Sequence, residues 1–235
     1  MKKVYLILGA SADIGMAFIR SAAEKDADAV FYAHYRTMND KLHTLQKNLA
    51  GRCHLLQADL SKAEEVTALV GAIPETPTYI LHLPASRIQY VRFRQIKAED
   101  LKREMQIEVY SLLNILQTFL PQMAKAKCGR VVAVVTSCTV GIPPKFLGAY
   151  TIAKYALLGL IKSAAAEYVE KGIHINALSP NMVETKFLAH VDSRVVEMTA
   201  QERLQGRNLS LREVVTGINY LFDEDNPMCG GNLVV

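Results

Sequence analysis

The 235-residue sequence has no tryptophan, only four cysteines, and no apolar stretch long enough to cross a membrane. A spanning helix needs about 18 consecutive apolar residues. Cys53, Cys128, Cys138 and Cys229 show no CxxC spacing, and the nearest two are ten residues apart. This excludes a zinc ribbon or a disulfide framework, and leaves buried, reduced thiols as the expectation. Thirteen glycines and eight prolines are too few for collagen-like or low-complexity chains. Charge of one sign is also scarce: 27 basic against 23 acidic residues leave a net +4. The basic residues are scattered, with one loose cluster at Arg87, Arg92, Arg94 and Lys97. A nucleic-acid binder shows a denser stripe, so that cluster reads better as a solvated loop or a contact for an acidic partner. The N-terminal MKKVYLILGA imitates a secretion signal, but its apolar run is short and SADIG follows as a turn into a helix. The expectation is a soluble, cytoplasmic protein with no metal site, no nucleic-acid partner and no membrane partner.

Half of the residues are hydrophobic, ample for a sizeable core. At roughly 100–200 residues per domain, one large domain or two small ones would fit. Short apolar runs alternate with longer helical patterns. Strands are expected at Val4–Leu8, Ala29–Ala33, Cys53–Gln57, Tyr79–Leu83, Val131–Val135, Ile173–Leu178 and Asn232–Val235. Helices are expected at Ile14–Lys25, Asp40–Leu49, Ser61–Ile73, Leu101–Lys125, Ala149–Glu170 and Ser210–Phe222. Ser61 with Glu64, and Ser210 with Glu213, have the spacing of capping boxes. Such alternation implies an α/β fold: one doubly wound, mostly parallel sheet with helices on both faces, and ligands at the carboxyl ends of the strands. No repeat or linker divides residues 1–235, so a single domain is expected. Residues 186–208 are polar, lack a strand and follow a strand end, which makes them a candidate substrate lid.

Two constellations carry chemistry. In LGASADIG, residues 8–15, Gly9 permits a tight turn and Gly15 a close approach as the helix begins. Free N–H groups and the positive dipole end there suit a pyrophosphate, although the GxGxxG spacing is absent. In YTIAK, Tyr150 and Lys154 are four residues apart and share a helical face. A phenol titrates near 10, and a neighbouring cation favours its anion. Ser137 follows the strand at 131–135, where its hydroxyl can meet a substrate oxygen. Taken singly, the first feature is also an ordinary strand-to-helix turn and the second an ordinary surface pair.

Their order along the chain resembles the short-chain dehydrogenase/reductase family. So does INALSPNMVET, residues 175–185, and GRVVAVVTS…YTIAKYALLGL, residues 129–160, is especially similar to the 3-oxoacyl-carrier-protein reductase branch. The resemblance implies a seven-stranded Rossmann fold, a nicotinamide cofactor, and hydride transfer to or from a carbonyl or secondary alcohol, with a 3-oxoacyl thioester as one candidate substrate. It implies Tyr150 as general acid/base, Lys154 as the cation beside it, and Ser137 orienting the carbonyl. Gly9, Ser11, Ile14, Gly15, Asp59, Leu60, Pro180 and Thr185 match its cofactor-binding positions. Arg36 follows the second strand where a dinucleotide fold reads the adenine ribose; with no acid in AHYRT, NADP(H) is favoured over NAD(H). The resemblance also implies a homodimer or homotetramer through the helices at 101–125 and 149–170.

The sequence departs from the family at several places. Asp13 stands for the middle glycine of the turn and Leu8 for its threonine. Asp13 would satisfy the free N–H groups of its own helix and also repel a pyrophosphate, or else point away to solvent. His82-Leu83-Pro84-Ala85 replaces NNAG, and His82 would supply one hydrogen bond or sit satisfied in the core. Glu108 replaces an asparagine of a proton relay; it would tie up Lys154 in an ion pair or carry protons itself. These changes raise an alternative, a catalytically degenerate member acting as a binding or regulatory subunit. Lys145, Lys186 and Arg203 are candidates to attract an anionic substrate, and residues 88–93 to shape the pocket.

Overall fold

A computed structural model of the protein describes residues 2–186, 189, 191–203 and 205–235. Seven strands form one sheet: β1 (Val4–Leu8), β2 (Val30–Tyr35), β3 (Cys53–Gln57), β4 (Tyr79–His82), β5 (Gly129–Val134), β6 (Ile173–Ser179) and β7 (Asn232–Val234). Their spatial order is β3-β2-β1-β4-β5-β6-β7, and every pairing is parallel. The expected doubly wound sheet is therefore present, and it is wholly parallel.

The apolar strands supply both faces because successive side chains point to opposite sides. Leu6, Leu8, Val131, Ala133 and Val135 pack on the face covered by α3 (Ala63–Gly71), α5 (Ser111–Ala126) and α6 (Gly148–Tyr168). Tyr5, Ile7, Val132 and Val134 pack on the face covered by α1 (Asp13–Lys25), α2 (Asp40–Asn48) and α8 (Leu211–Phe222). Five aromatic residues cluster on this second face. Tyr5 stacks between Phe31 and Tyr79 of the flanking strands, with centroids 5.3 and 4.7 Å away. Phe18 and Phe222 meet its edge.

Some expectations change in detail. Ser210 and Glu213 form the capping box at α8. Ser61 and Glu64 do not form one: α3 starts later, with Lys62 at its N-cap. Ser61 instead gives its N–H and hydroxyl to Asp59, while Glu65 accepts from the Asp59 N–H. The helix expected over 101–125 is interrupted. It runs as α4 (Ala98–Met105), a π turn at Gln106–Tyr110, and α5. Within 186–208, α7 (Ser193–Gln201) forms, capped by Asp192; residues 187, 188, 190 and 204 of that segment lie outside the described residues. No helix among the described residues is long and apolar enough to cross a membrane. All four cysteines are free, and Cys53 is buried, which pushes its thiol up to about 11.

The strand order reverses between β1 and β4. The chain leaves β1 toward β2 and β3, then crosses back to β4 on the other side. The loops at the carboxyl ends of these two strands must diverge, which opens a crevice there.

Candidate active site

The crevice holds a cleft of about 610 Å³. Ser11, Ala12, Asp13 and Ile14 form one wall, and Ser137, Tyr150 and Lys154 another. The turn from β1 into α1 is shaped by contacts between backbones. Gly9 adopts φ +79°, the left-handed region that favours glycine. A Cβ on Gly15 would lie 2.8 Å from the Ala10 Cα, so only glycine lets the helix start so close to the turn. His34 pins this turn. Its Nδ1 accepts from the Gly9 N–H at 3.1 Å, and its Nε2 lies 3.0 Å from the Ala58 carbonyl. That pairing fits the neutral ring protonated on Nε2, and burial lowers the His34 pKa. Asn39 ties the same turn to α2 by donating to the Ser11 carbonyl.

The N-terminus of α1 has no side-chain cap. Asp13 neither caps its own helix nor turns away to solvent: its Oδ2 reaches across the cleft mouth and accepts from the Lys186 N–H at 2.9 Å. The first-turn N–H groups of α1 therefore remain available toward the cleft. With the space beside them, they fit a pyrophosphate, and a nicotinamide dinucleotide would be held by Ser11 to Ile14 at one end and by Tyr150, Lys154, Pro180 and Thr185 at the other.

Ser137 opens a 3₁₀ turn directly after β5. Its N–H donates to the Pro180 carbonyl at 3.0 Å, and Thr136 accepts from the Cys138 N–H. Tyr150 and Lys154 occupy the first two turns of α6, with the Lys154 Nζ 5.8 Å from the phenol ring centroid. Lys154 is buried. Its ammonium donates to the Val134 carbonyl at 3.1 Å and lies 3.0 Å from the Glu108 Oε2. The ion pair expected as one option for Glu108 is thus formed, although its angles fall short of a hydrogen bond.

These contacts set the proton affinities. Burial works against the Lys154 charge, but Glu108, Tyr150 and Glu104 outweigh it and raise the Lys154 pKa. Burial raises the Tyr150 pKa; Lys154 and Thr136 pull it down without cancelling that rise. The simple expectation of a lowered phenol pKa is therefore corrected. The cation acts in the expected direction, but desolvation prevails and Glu108 opposes Lys154. His82 is fully buried, and neither ring nitrogen has a well-formed hydrogen bond. It is a core residue, but not a satisfied one. Burial, and then Lys154, pushes its pKa down to about 3.

Of the residues expected at the site, Ser11, Ile14, Ser137, Tyr150, Lys154, Pro180 and Thr185 line the main cleft. Arg36 lines a second cleft of about 180 Å³ with Arg87, Arg103 and Glu104, and Tyr150 borders both. Gly9 and Gly15 shape the turn from beneath. Asp59 and Leu60 stay outside both linings, and Leu60 is buried in the core. Ile88 and Tyr90 line the main cleft, as does Lys186; Lys145 does not. The sequence reading missed the Asp13–Lys186 contact, the role of His34 and the position of Glu104. Only Glu104 carried a usable signal, its four-residue spacing from Glu108. Among the described residues there is no cluster suited to a metal ion.

A sequence model described as short chain dehydrogenase matches residues 3–195. Oxidoreductase UcpA of Salmonella typhimurium is 33% identical over 190 residues, covering 78% of this chain and 70% of that protein. Dehydrogenase/reductase SDR family member 4 of Rattus norvegicus is 28% identical over 240 residues, covering 99% and 85%. A solved 3-oxoacyl (acyl-carrier-protein) reductase from Agrobacterium tumefaciens C58 with NADP bound superposes with a TM-score of 0.86 at 23% identity, covering 99% and 92%.

Proposed function

The chain belongs to the short-chain dehydrogenase family of NAD(P)-dependent oxidoreductases, which act on carbonyl and alcohol groups, and from that premise we propose that it is an NADP(H)-dependent carbonyl reductase with Ser137, Tyr150 and Lys154 as its machinery. The observation that carries this reading is one cleft shared by the uncapped start of α1 and by those three side chains. When bound, the cofactor supplies the hydride. The protein supplies placement and a proton. Ser137, held by the Pro180 carbonyl, donates to the substrate carbonyl oxygen. Tyr150 gives its proton to that oxygen, and Lys154 steadies the phenolate left behind. Burial keeps the phenol protonated at neutral pH, which is the form that reduction requires.

The preference for NADP(H) rests on Arg36, which shares the second cleft with Arg87. Two guanidinium groups at the ribose end would favour a 2′-phosphate. The substrate side of the main cleft is apolar, with Ile88, Tyr90, Val140, Leu147 and Met182 on its walls. This suits an aliphatic or aromatic carbonyl compound, with the acyl chain of a 3-oxoacyl thioester among the candidates. Val191, Val195, Thr199 and Glu202 bring the 186–208 segment against the same cleft, which supports its reading as a lid of the single domain 1–235. Exposed Tyr110, Ile152 and Tyr155, at the π turn and on α6, favour a homodimer or homotetramer, with sedimentation as the check.

The decisive assay follows NADPH oxidation with a panel of ketones and acyl thioesters. Tyr150→Phe is expected to cost about 100-fold or more in kcat while leaving the fold and most cofactor affinity intact. Undiminished turnover in that variant rejects the assignment. Absence of NADPH and NADH binding to the wild-type protein would favour the alternative of a catalytically degenerate member acting as a binding or regulatory subunit.

A further inference from the structure

The turn that would receive the pyrophosphate is held from beneath by a side chain to which the reading above gives no part in binding. Leu8, Gly9 and Ala10 carry no polar side-chain atom of their own. Two successive N–H groups of this turn are instead accepted by one residue of the neighbouring strand. His34 takes the Gly9 N–H on its ring Nδ1 at 3.1 Å and the Ala10 N–H on its backbone carbonyl at 2.8 Å. The far side of the ring reaches the other way. Its Nε2 lies 3.0 Å from the carbonyl of Ala58, the residue after β3. Ala58 is tied back to β2 in turn, its N–H donating to the Tyr35 carbonyl at 3.1 Å. His34 is 3% exposed, so water has almost no access to replace these bonds.

An imidazole suits this place because its two nitrogens sit on opposite sides of a rigid ring. It offers an acceptor to one segment and a donor to the other at a fixed separation. With its proton on Nε2, Nδ1 keeps the lone pair that the Gly9 N–H needs. Without that acceptor a buried N–H is left unpaired, which favours movement of the turn away from β2. Ser11 to Ile14 follow directly and form the cleft wall. A shift at Gly9 therefore displaces the N–H groups that a pyrophosphate would meet. Asn39 grips the same turn from α2, donating to the Ser11 carbonyl at 3.0 Å. Groups fixed beforehand avoid the entropy loss of ordering when a ligand arrives.

We propose that His34 is a positioning residue for the cofactor: its ring Nδ1 holds the turn between β1 and α1 in the form that receives the pyrophosphate, before any ligand is present. The proposal rests on the reading of that turn as the pyrophosphate site. His34 lines neither cleft, so it acts through Gly9 rather than by touching the ligand. It sets affinity for the dinucleotide and leaves the chemical step alone.

Two substitutions divide the ring. In His34→Asn the amide oxygen falls where Nδ1 was and accepts from Gly9, but nothing reaches Ala58. In His34→Gln the amide nitrogen falls near the place of Nε2 and donates to Ala58, but no polar atom is left for Gly9. Each variant loses one hydrogen bond, so urea denaturation should rank them alike. NADPH fluorescence titration should not. Its Kd should rise about tenfold in His34→Gln and stay within about threefold of wild type in His34→Asn. With a ketone that the wild type reduces, kcat at saturating NADPH should stay within about twofold in both. Equal affinity in the two variants, or a lower kcat at saturation, overturns the proposal. The unaltered protein serves if the variants fold poorly. With labelled nitrogen, the Gly9 amide and the His34 Nδ1 should show scalar coupling across their hydrogen bond, both without ligand and after NADPH is added. No coupling in the free protein overturns the proposal, as does a coupling that appears only with NADPH. A protein that shows the coupling but binds neither NADPH nor NADH would sink the reductase reading and the proposal together. Tight NADPH binding with no difference between the variants would sink the proposal alone.

Discussion

Asp13 is expected to weaken cofactor binding, and its replacement by asparagine should strengthen it. The carboxylate sits in the first turn of α1, on the wall of the main cleft, where the N–H groups would receive a pyrophosphate. Two unit charges about 5 Å apart at an effective dielectric of ~20 repel by roughly 3 kcal/mol, near a hundredfold in affinity. At physiological salt the Debye length is about 8 Å, which cuts this to ~2 kcal/mol. Asp13→Asn removes the charge and keeps an oxygen able to accept from the Lys186 N–H, a contact now 2.9 Å long. NADPH fluorescence titrations should therefore show a Kd about 20-fold to 100-fold lower in the variant, with the larger gain at low salt. Asp13→Ala separates the two roles of the side chain, because it loses the charge and the contact together. The charge also favours the helix dipole, so Asp13→Asn should cost a few tenths to 1 kcal/mol in unfolding stability. Affinity and stability should thus move in opposite directions. A Kd unchanged within a factor of two at low salt would show that Asp13 lies outside the field of the bound phosphates.

Two further outcomes follow from the interior. The folded pKa of His82, about 3, lies below the ordinary value near 6.5, so between these pH values the unfolded chain binds a proton that the native protein refuses. Stability should fall as pH drops through that window, with His82 contributing ~2 kcal/mol of loss between pH 7.5 and 5. Chemical denaturation should show a shallower decline in His82→Gln, and an equally steep one would contradict the assignment. Phe18 is 1% exposed within the aromatic group around Tyr5, so Phe18→Ala should cost about 3–5 kcal/mol in the same measurement. A cost below 1 kcal/mol would mean that the group repacks.

The strands and most helices were legible because a buried parallel sheet demands continuous apolar runs, and a run such as Val131–Val135 serves no other structure as well. Tyr150 and Lys154 were legible because four-residue spacing brings two side chains together through local geometry alone. Glu104 and Glu108 have that same spacing, but nothing local says that both are turned inward. The π turn hid for a related reason. The sequence across 101–125 reads as one helix, and no proline or glycine at Gln106–Tyr110 marks where the backbone leaves α geometry.

Sequence alone determined the α/β alternation, the glycine turn after the first strand, and the pairing of a phenol with an amine. Those depend on neighbours within a few residues, where backbone periodicity fixes distance. Only the tertiary structure decided the balance of charge around Lys154, the reach of Asp13 to Lys186 across 173 residues of chain, and the burial that raises the Tyr150 pKa. Desolvation and long-range Coulomb interactions depend on which surfaces the fold brings together, and no local pattern encodes that.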